Sequence, residues 1–280
     1  MNEWWRYTIV QSEKDGKLIT EVKITKKKVV VSFEDEDSLE ITPTTYTHFY
    51  LYKDKTLTNK EIKDIKHFNE ISIGRDYVIN LVSSHLYTEK QVYDKLINTK
   101  HISPKNAFEI VNSLKEYGYI NDNNYVNEMF EIYTMKNYGK NKIITKLLQD
   151  GIDKSLIEAL DFDDEEEYLK ANNDVASYIK GKANNKSKRK LIESTYNHLC
   201  LNGFDSNIAN EACKIIEDSF DEQKEIETLL KAIDKYILSH HIDMKNYEEK
   251  QKLINNFIRK GYSYDMINNC VEELTNGQEC

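Results

Sequence analysis

The chain has 280 residues, a formal net charge of −9 and a mean hydropathy of −0.69, so it can bury a large core and remain soluble. No run of about 18 apolar residues is present, which argues against a membrane span. An acidic chain is a poor general binder of duplex DNA, because affinity for DNA comes mainly from cations that neutralise phosphates. Met1–Arg6 does not have the layout of a secretory signal. We therefore expect a cytoplasmic protein whose contacts with nucleic acid would need a local basic face.

The cysteines and histidines do not form a metal-binding or disulfide pattern. Cys200, Cys213, Cys270 and Cys280 include no C-x-x-C pair, and three of them lie in or beside apolar helical stretches, so we expect buried, reduced thiols. P-loop, dinucleotide-binding, serine-elbow and zinc motifs are also missing from the sequence. The sequence therefore indicates neither an enzyme nor a cofactor or metal site.

The first seventy residues differ from the rest, because they hold short β-branched and aromatic runs typical of strands. Asp15–Gly16 is a hairpin signal, and Thr42–Pro43 predicts the start of a short helix that ends near Phe49. We assign Trp4 and Trp5 to the same small sheet. The predicted strands are Trp5–Val10, Leu18–Ile24, Val29–Phe33 and Leu39–Ile41.

From about Arg75 onward the apolar residues recur with the 3.6-residue period of a helix. Thr88 and Gln91 form a capping box that predicts a helix start. Ser103–Pro104 opens the next helix, and Gly118 is placed to end it in a left-handed turn. The predicted buried stripe of that helix is Ala107, Phe108, Val111 and Leu114.

Three later segments share one pattern: Leu147–Ile157, Leu199–Ala209 and Phe257–Ile267. Each has an apolar residue, a glycine four positions later, a large apolar residue, an Asp or Ser, and then an apolar pair. The glycine can end one helix and the Asp or Ser can cap the next. Leu96–Phe108 is a looser copy, with Lys100–His101 in the place of the glycine.

Each copy follows another amphipathic stretch, so the repeating unit is three helices, present about four times with a period of roughly 50–60 residues. We predict a mainly α-helical protein: tandem three-helix repeats in an elongated curved array, preceded by a small β-rich N-terminal subdomain. The amphipathic stretches are Tyr77–Val82, Tyr125–Tyr133, Tyr168–Ile179 and Ile226–Ile237. The predicted boundaries are 1–72 for the subdomain and 73–120, 121–162, 163–220 and 221–280 for the repeats.

Two segments carry a resemblance to a known family. Tyr117–Tyr125 reads YGYINDNNY, and Lys136–Ile143 reads KNYGKNKI, followed by Leu147 and Gly151. These segments resemble the RecX motifs G-Y-[LI]-[DN]-D-x-x-[FY] and K-G-[YF]-G-x-x-[RK]-I, and the likeness covers nearly all of residues 18–275. Lys140 stands where the family usually has proline, and lysine is used where the family often has arginine.

The resemblance implies a non-enzymatic protein without a cofactor. Such a protein binds the RecA filament, lies in its helical groove and limits recombinase and ATPase activity in DNA recombination, DNA repair and the SOS response. Two alternatives come from the residues themselves: a stand-alone single-stranded nucleic-acid-binding repeat protein, or a general protein-interaction scaffold. We expect a monomer.

Two lysine-rich groups are the candidate partner-binding residues, since they can face an acidic protein surface or a phosphate backbone. The alternative is an ordinary solvated helix face for the first group, and for the second group a flexible loop, which Gly181 and Asn184–Asn185 suggest. The first group is Lys136, Tyr138, Lys140, Lys142 and Lys146. The second group is Lys182, Lys186, Lys188, Arg189 and Lys190.

The acidic block Asp161–Glu167 is better explained as a helix N-terminus than as a metal site, because consecutive carboxylates spread around a helix axis. A group of tyrosines around the two family-like segments could stack on bases, but packing is the simpler role. These tyrosines are Tyr117, Tyr119, Tyr125, Tyr133 and Tyr138.

Overall fold

The structure is a computed structural model that describes residues 16–182 and 186–276. These residues form thirteen helices and one four-stranded sheet. They belong to two units: residues up to 125 together with 150–152, and residues 126–149 together with those from 153 onward. The predicted strand Trp5–Val10, Trp4, Asp15 and Cys280 lie outside the described residues.

The sheet is antiparallel throughout, with the strand order β3-β2-β1-β4. Its buried face holds Ile19, Val29, Val31 and Phe33. Three of the predicted strands are confirmed, and the short β4 was not predicted, because three residues are too few to show an alternating pattern. The strands are β1 Gly16–Ile24, β2 Val29–Phe33, β3 Ser38–Ile41 and β4 Thr56–Thr58.

The first two helices are α1 Pro43–His48, as predicted from Thr42–Pro43, and α2 Asn59–Val82. The predicted onset of helix near Arg75 was too late, and the predicted boundary after residue 72 falls inside α2. Early in α2, Ile65 packs with the sheet, whereas Val78 near its end packs with later helices. The apolar residues of α2 therefore serve two different partners and do not form one stripe of period 3.6.

Buried polar groups join α1 to α2. The Asn69 side-chain oxygen accepts hydrogen bonds from the Thr42 backbone N–H at 2.8 Å and from the Thr45 hydroxyl at 3.1 Å. The Asn69 amide nitrogen donates to the carbonyl of Glu40 at 3.2 Å. Because buried polar groups are costly unless they are paired, this network fixes how α2 meets the sheet.

The next two helices are α3 Glu89–Lys100 and α4 Pro104–Glu116, and the capping box of α3 is formed as predicted. On α4 the residues Ala107, Val111 and Leu114 are buried, but Phe108 is 63% exposed and Ile110 is buried instead. The stripe prediction was therefore wrong for Phe108, since a residue next to Ala107 points about 100° away around the helix.

The remaining helices also follow one another in groups of three, as the repeat pattern predicts. In one group Leu191, Leu199 and Ala209 share a core, and in the next Leu229, Phe257 and Ile267 do so. The helices are α5 Asp122–Met135, α6 Lys140–Gln149, α7 Lys154–Glu158, α8 Asp164–Lys182, α9 Lys188–Leu201, α10 Ser206–Ser219, α11 Glu222–His240, α12 Tyr247–Arg259 and α13 Tyr264–Asn276.

The predicted glycine turns are confirmed. Gly151, Gly203 and Gly261 have φ angles of +88°, +89° and +92°, the left-handed conformation that glycine adopts without a Cβ penalty. In the looser first copy, His101 has a φ of +54° at the end of α3. We call the three glycine turns the joints.

The caps that follow the joints are confirmed in two cases out of three. Asp153 accepts a hydrogen bond from the Ser155 backbone at 2.9 Å, and Ser263 accepts one from Met266 at 3.2 Å. Asp205 makes no side-chain cap hydrogen bond to α10. Its carboxylate instead accepts a hydrogen bond from the Asn141 amide at 2.8 Å, so a tertiary partner has replaced the local one.

The cysteines divide by environment. Cys213 and Cys270 are buried as predicted, but Cys200 is exposed, because it follows the buried Leu199 by one residue and so points about 100° away from it around α9. Burial raises the pKa of the Cys213 thiol to about 11.

We therefore expect Cys213 to react with iodoacetamide at least about 100-fold more slowly than Cys200 at pH 8, because its thiolate is scarce and shielded. Peptide mass spectrometry after a short labelling pulse measures both sites in one sample. Equal labelling of Cys213 and Cys200 would contradict the burial of Cys213.

Candidate functional site

Each joint holds the start of an earlier helix by a hydrogen bond at the residue just before the glycine. A β-carbon at Gly203 would overlap the backbone of Lys142, which shows how closely the two chain segments approach. The glycines are thus required for close contact as well as for their φ angles. The hydrogen bonds are Thr88 hydroxyl to Asp150 carbonyl, 2.7 Å; Gly139 N–H to Asn202 carbonyl, 2.8 Å; and Ser187 hydroxyl to Lys260 carbonyl, 2.7 Å.

A carboxylate from a following helix caps the same helix starts. Negative charge is favourable there, because the first N–H groups of a helix are unpaired and carry the positive end of its dipole. The caps are Asp122 on the Glu89 N–H at 2.9 Å, Glu167 on the Lys140 N–H at 3.0 Å and Glu225 on the Lys188 N–H at 2.7 Å.

Glu167 belongs to the acidic block that was predicted to be a helix N-terminus. That prediction is confirmed, because α8 begins at Asp164 and Asp163 accepts a hydrogen bond from the Glu165 backbone at 2.8 Å. The sequence did not reveal that Glu167 is buried and pairs with the buried Lys170 amine at 2.5 Å.

Two of the predicted lysines on α6 lie over the rings of two tyrosines that precede this helix in the chain. The Lys142 amine lies 4.1 Å from the centre of the Tyr138 ring, and the Lys146 amine lies 5.5 Å from that of Tyr133. We call these four residues the lysine–tyrosine cluster. The Lys142 amine also donates a hydrogen bond to the Asn202 side chain at 2.8 Å, so it has a structural role as well.

The other two lysines of the first group lie apart from the lysine–tyrosine cluster. Lys136 is exposed just after α5, and the Lys140 amine lies 5.2 Å from the centre of the Phe162 ring. The structure therefore brings together three of the five residues predicted for this surface.

The tyrosines do not all pack as expected. Tyr125 and Tyr133 are buried, but Tyr117 is 74% exposed and Tyr119 is 51% exposed, so the packing prediction was wrong for the latter two. Both flank Gly118, beyond Leu114, where the buried stripe of α4 ends.

The second predicted group divides between two sides of α9. The Lys188 amine lies 3.5 Å from the Glu222 carboxylate, and Arg189 is exposed. Lys186 and Lys190 line a groove on the other side, where the Lys186 amine donates to the Ser194 hydroxyl at 2.9 Å. The side chain of Lys182 lies outside what the structure describes.

This groove, which we call the basic groove, has a volume of about 840 Å³ and lies among the start of α9, one face of α11 and the end of α12. Its lining residues, all from the described part of the chain, include six cations and no carboxylate. Only two of the six were predicted, because the others are far apart in sequence and become neighbours through the fold. The cations are Lys186, Lys190, Lys231, Lys235, Arg259 and Lys260.

Among residues 16–182 and 186–276, no group of three or more His, Cys, Asp or Glu side chains is placed to hold a metal ion. The helices of those same residues include none that is both long and apolar enough to cross a membrane. The structure defines the class of the protein: a helical-repeat protein of three-helix units that follows a small antiparallel sheet.

Comparisons with known proteins agree with this class. The family model of the third three-helix domain of RecX matches residues 222–271, which span most of α11–α13. The regulatory protein RecX of Streptococcus agalactiae strain NEM316 is 30% identical over 263 residues, which cover 91% of this chain and 98% of that protein. The protein of the same name from Streptococcus thermophilus strain CNRZ 1066 is also 30% identical, over 264 residues, with the same coverage.

A crystal structure of regulatory protein RecX superposes with a TM-score of 0.55 at 18% identity, covering 72% of this chain and all of that one, so the fold is shared. The chain therefore belongs to the RecX family of regulatory proteins. The family resemblance of the sequence and the mainly helical fold with a small N-terminal sheet are thereby confirmed.

Proposed function

We propose that this protein binds RecA filaments on DNA and restrains the recombinase and ATPase activities of RecA. The observation that carries the proposal is the likeness to regulatory RecX proteins over 91% of the chain. The segment Lys136–Ile143, which resembles the family most specifically, contains part of the lysine–tyrosine cluster. This cluster is the surface that we assign to contact with an acidic face of RecA.

The rings of Tyr133 and Tyr138 hold the nearby amines in place before a partner arrives. An amine fixed over an aromatic ring loses less side-chain entropy on binding than a freely moving lysine. Because Lys142 already donates to Asn202, Lys146 is the cation of the cluster that we assign to the partner. We add Lys136, which lies outside the cluster and is exposed just after α5.

The first test is the single-stranded-DNA-dependent ATP hydrolysis of RecA from the same organism, titrated with this protein. We expect hydrolysis to fall at or below one molecule of this protein per RecA. Unchanged hydrolysis and unchanged strand exchange at saturating protein would refute the proposal and leave a repeat scaffold for another partner.

Reversing the charges of Lys136 and Lys146 together, as Lys136→Glu and Lys146→Glu, is expected to weaken filament binding roughly 10-fold or more, because two attractive contacts become repulsive. Binding is measured by co-sedimentation with RecA filaments. The matched control is Lys26→Glu with Lys27→Glu, two exposed lysines between β1 and β2. Equal affinity of both variants and the unchanged protein would move the interface elsewhere.

A further inference from the structure

The second three-helix repeat has a much shorter third helix than the other repeats. The third helices α4, α10 and α13 have 13, 14 and 13 residues, whereas α7 has only 5. Asp163 caps α8 through the Glu165 backbone, so the chain has to leave α7 soon after Glu158 to begin the next repeat. Within residues 122–164, all of which the structure describes, the outer turns of a third helix are therefore missing.

The last repeat shows what such turns cover. Ile254 on its second helix is 2% exposed and shares a core with Cys270 and Val271 of α13. Counted from the joint glycines, Ile144 on α6 is equivalent to Ile254. The equivalent of Val271 is Asp161, which is exposed and lies beyond the end of α7. Ile144 is left half-buried, with no counterpart of Val271 to cover it.

An apolar groove of about 410 Å³ lies on this side of α6, which is within the size range of pockets that bind ligands. The Phe162 ring, which packs edge-on against Phe130 at 5.3 Å between ring centres, forms one wall. The second repeat thus keeps an uncovered apolar face where the last repeat has a closed core. The apolar lining residues, all in the described part of the chain, are Ile144, Leu148, Ile157, Leu160 and Phe162.

This groove is separate from the lysine–tyrosine cluster. Residues two positions apart on a helix point about 200° away from each other, so Ile144 lies on the opposite side of α6 from Lys142 and Lys146. The groove is therefore a second surface, distinct from the one that we assign to RecA, and each surface can be changed without the other.

From this arrangement we propose that the groove binds an acidic amphipathic helix of a partner protein. The partner helix takes the position beside α6 that α13 takes in its own repeat. Such a helix is recognised by a stripe of apolar residues at the spacing i, i+3, i+4 and i+7, which α13 also has. The stripe residues of α13 are Ile267, Cys270, Val271 and Leu274.

The charges of the lining residues favour an acidic helix over a basic one. They include two cations, Lys140 and Lys154, and one carboxylate, Glu158. The Lys140 amine is held beside the groove, 5.2 Å from the centre of the Phe162 ring. An excess of positive charge selects a partner with carboxylates. The helix α13 is a suitable model for this partner, because it has three carboxylates and no lysine or arginine.

The probe is a fluorescein-labelled peptide with the sequence of Ser263–Asn276, in which Cys270→Ala prevents oxidation. Its binding to the whole protein is measured by anisotropy without RecA, so the result is independent of the proposed function. We expect a Kd on the order of 10–100 µM, because a short isolated helix is marginally stable and has to fold as it binds.

Two variants of the groove should weaken this binding. We expect Leu148→Glu, at a lining position that is 41% exposed, to raise the Kd roughly 10-fold or more, because it places a carboxylate against the apolar stripe. Lys154→Glu reverses one exposed charge of the groove and should raise the Kd roughly 3-fold. Far-UV circular dichroism should be the same for both variants and the unchanged protein, since both positions are at the surface.

The matched control is Leu238→Glu, the same change at a 66% exposed leucine on α11, and we expect it to bind like the unchanged protein. No binding of the peptide, or equal Kd values for Leu148→Glu and Leu238→Glu, would overturn the proposal. Equal binding of a peptide whose stripe is broken by Ile267→Asp and Val271→Asp would do the same. So would a dimer in sedimentation velocity that Leu148→Glu dissociates, since the occupant would then be a second copy of this chain.

Discussion

Gly203→Ala is expected to lower the free energy of unfolding by about 2–4 kcal/mol, through a strained backbone and an overlap in a tightly packed joint. The φ angle of Gly203 is +89°, which costs an alanine about 1 kcal/mol. The added β-carbon would also collide with the backbone nitrogen and β-carbon of Lys142, which forms the first turn of α6 and cannot move independently. Urea unfolding followed by circular dichroism measures the change.

Variants of two other glycines distinguish the cost of the strained backbone from the cost of the overlap. Gly118 has a φ of +76° but open space around its missing side chain, so Gly118→Ala should cost only about 1 kcal/mol. Gly181 lies near the end of α8, with open space and no positive φ, so Gly181→Ala should be neutral or slightly stabilising. If Gly203→Ala cost no more than Gly118→Ala, the close approach at the joint would not matter for stability.

Glu167→Ala is expected to cost about 3–5 kcal/mol, because it leaves the Lys170 amine buried without a partner. The same change removes the carboxylate that caps the first N–H of α6. Thermal and urea unfolding of the variant measure the loss.

Two single variants and one double variant test this account. Glu225→Ala removes the equivalent cap on the Lys188 N–H but leaves no buried amine without a partner. We therefore expect it to lower the free energy of unfolding by only about 1 kcal/mol. Glu166→Ala, at an exposed position in the same acidic block, should change stability by less than about 0.5 kcal/mol. Glu167→Leu combined with Lys170→Met should recover most of the loss, since apolar replacements remove both buried charges. Failure of the double variant to recover would show that the cap, and not the unpaired lysine, dominates.

The three joints differ in one side-chain contact. At two of them the side chain on the first helical turn is paired with the residue before the glycine, and those contacts hold helices together. At the third joint the equivalent residues, Lys190 and Lys260, are both cations and do not form this pair. The Ser187 hydroxyl still donates a hydrogen bond to the Lys260 carbonyl. A single position in the repeat thus forms a contact between helices at two joints and lines the basic groove at the third.

Features that depend on a few neighbouring residues could be predicted from the sequence alone. The capping box at Thr88, the helix start at Pro104 and the left-handed glycines Gly151, Gly203 and Gly261 all follow from local backbone chemistry. Because the same local pattern recurs along the chain, the repeat of three helices and the mainly helical fold class could also be predicted from the sequence. The resemblance to RecX rested on the same short segments.

Features that depend on contacts between distant residues were decided only by the tertiary structure. The early start of α2 was missed because its apolar residues serve two partners. Glu167 was recognised as part of a helix start, but its burial against Lys170 requires knowing which helices pack together. The basic groove unites Lys186 and Lys190 with Lys231 and three other cations across three helices. Side-chain periodicity specifies which face of a helix is buried, whereas the identity of the neighbour across that face is set by how the whole chain packs.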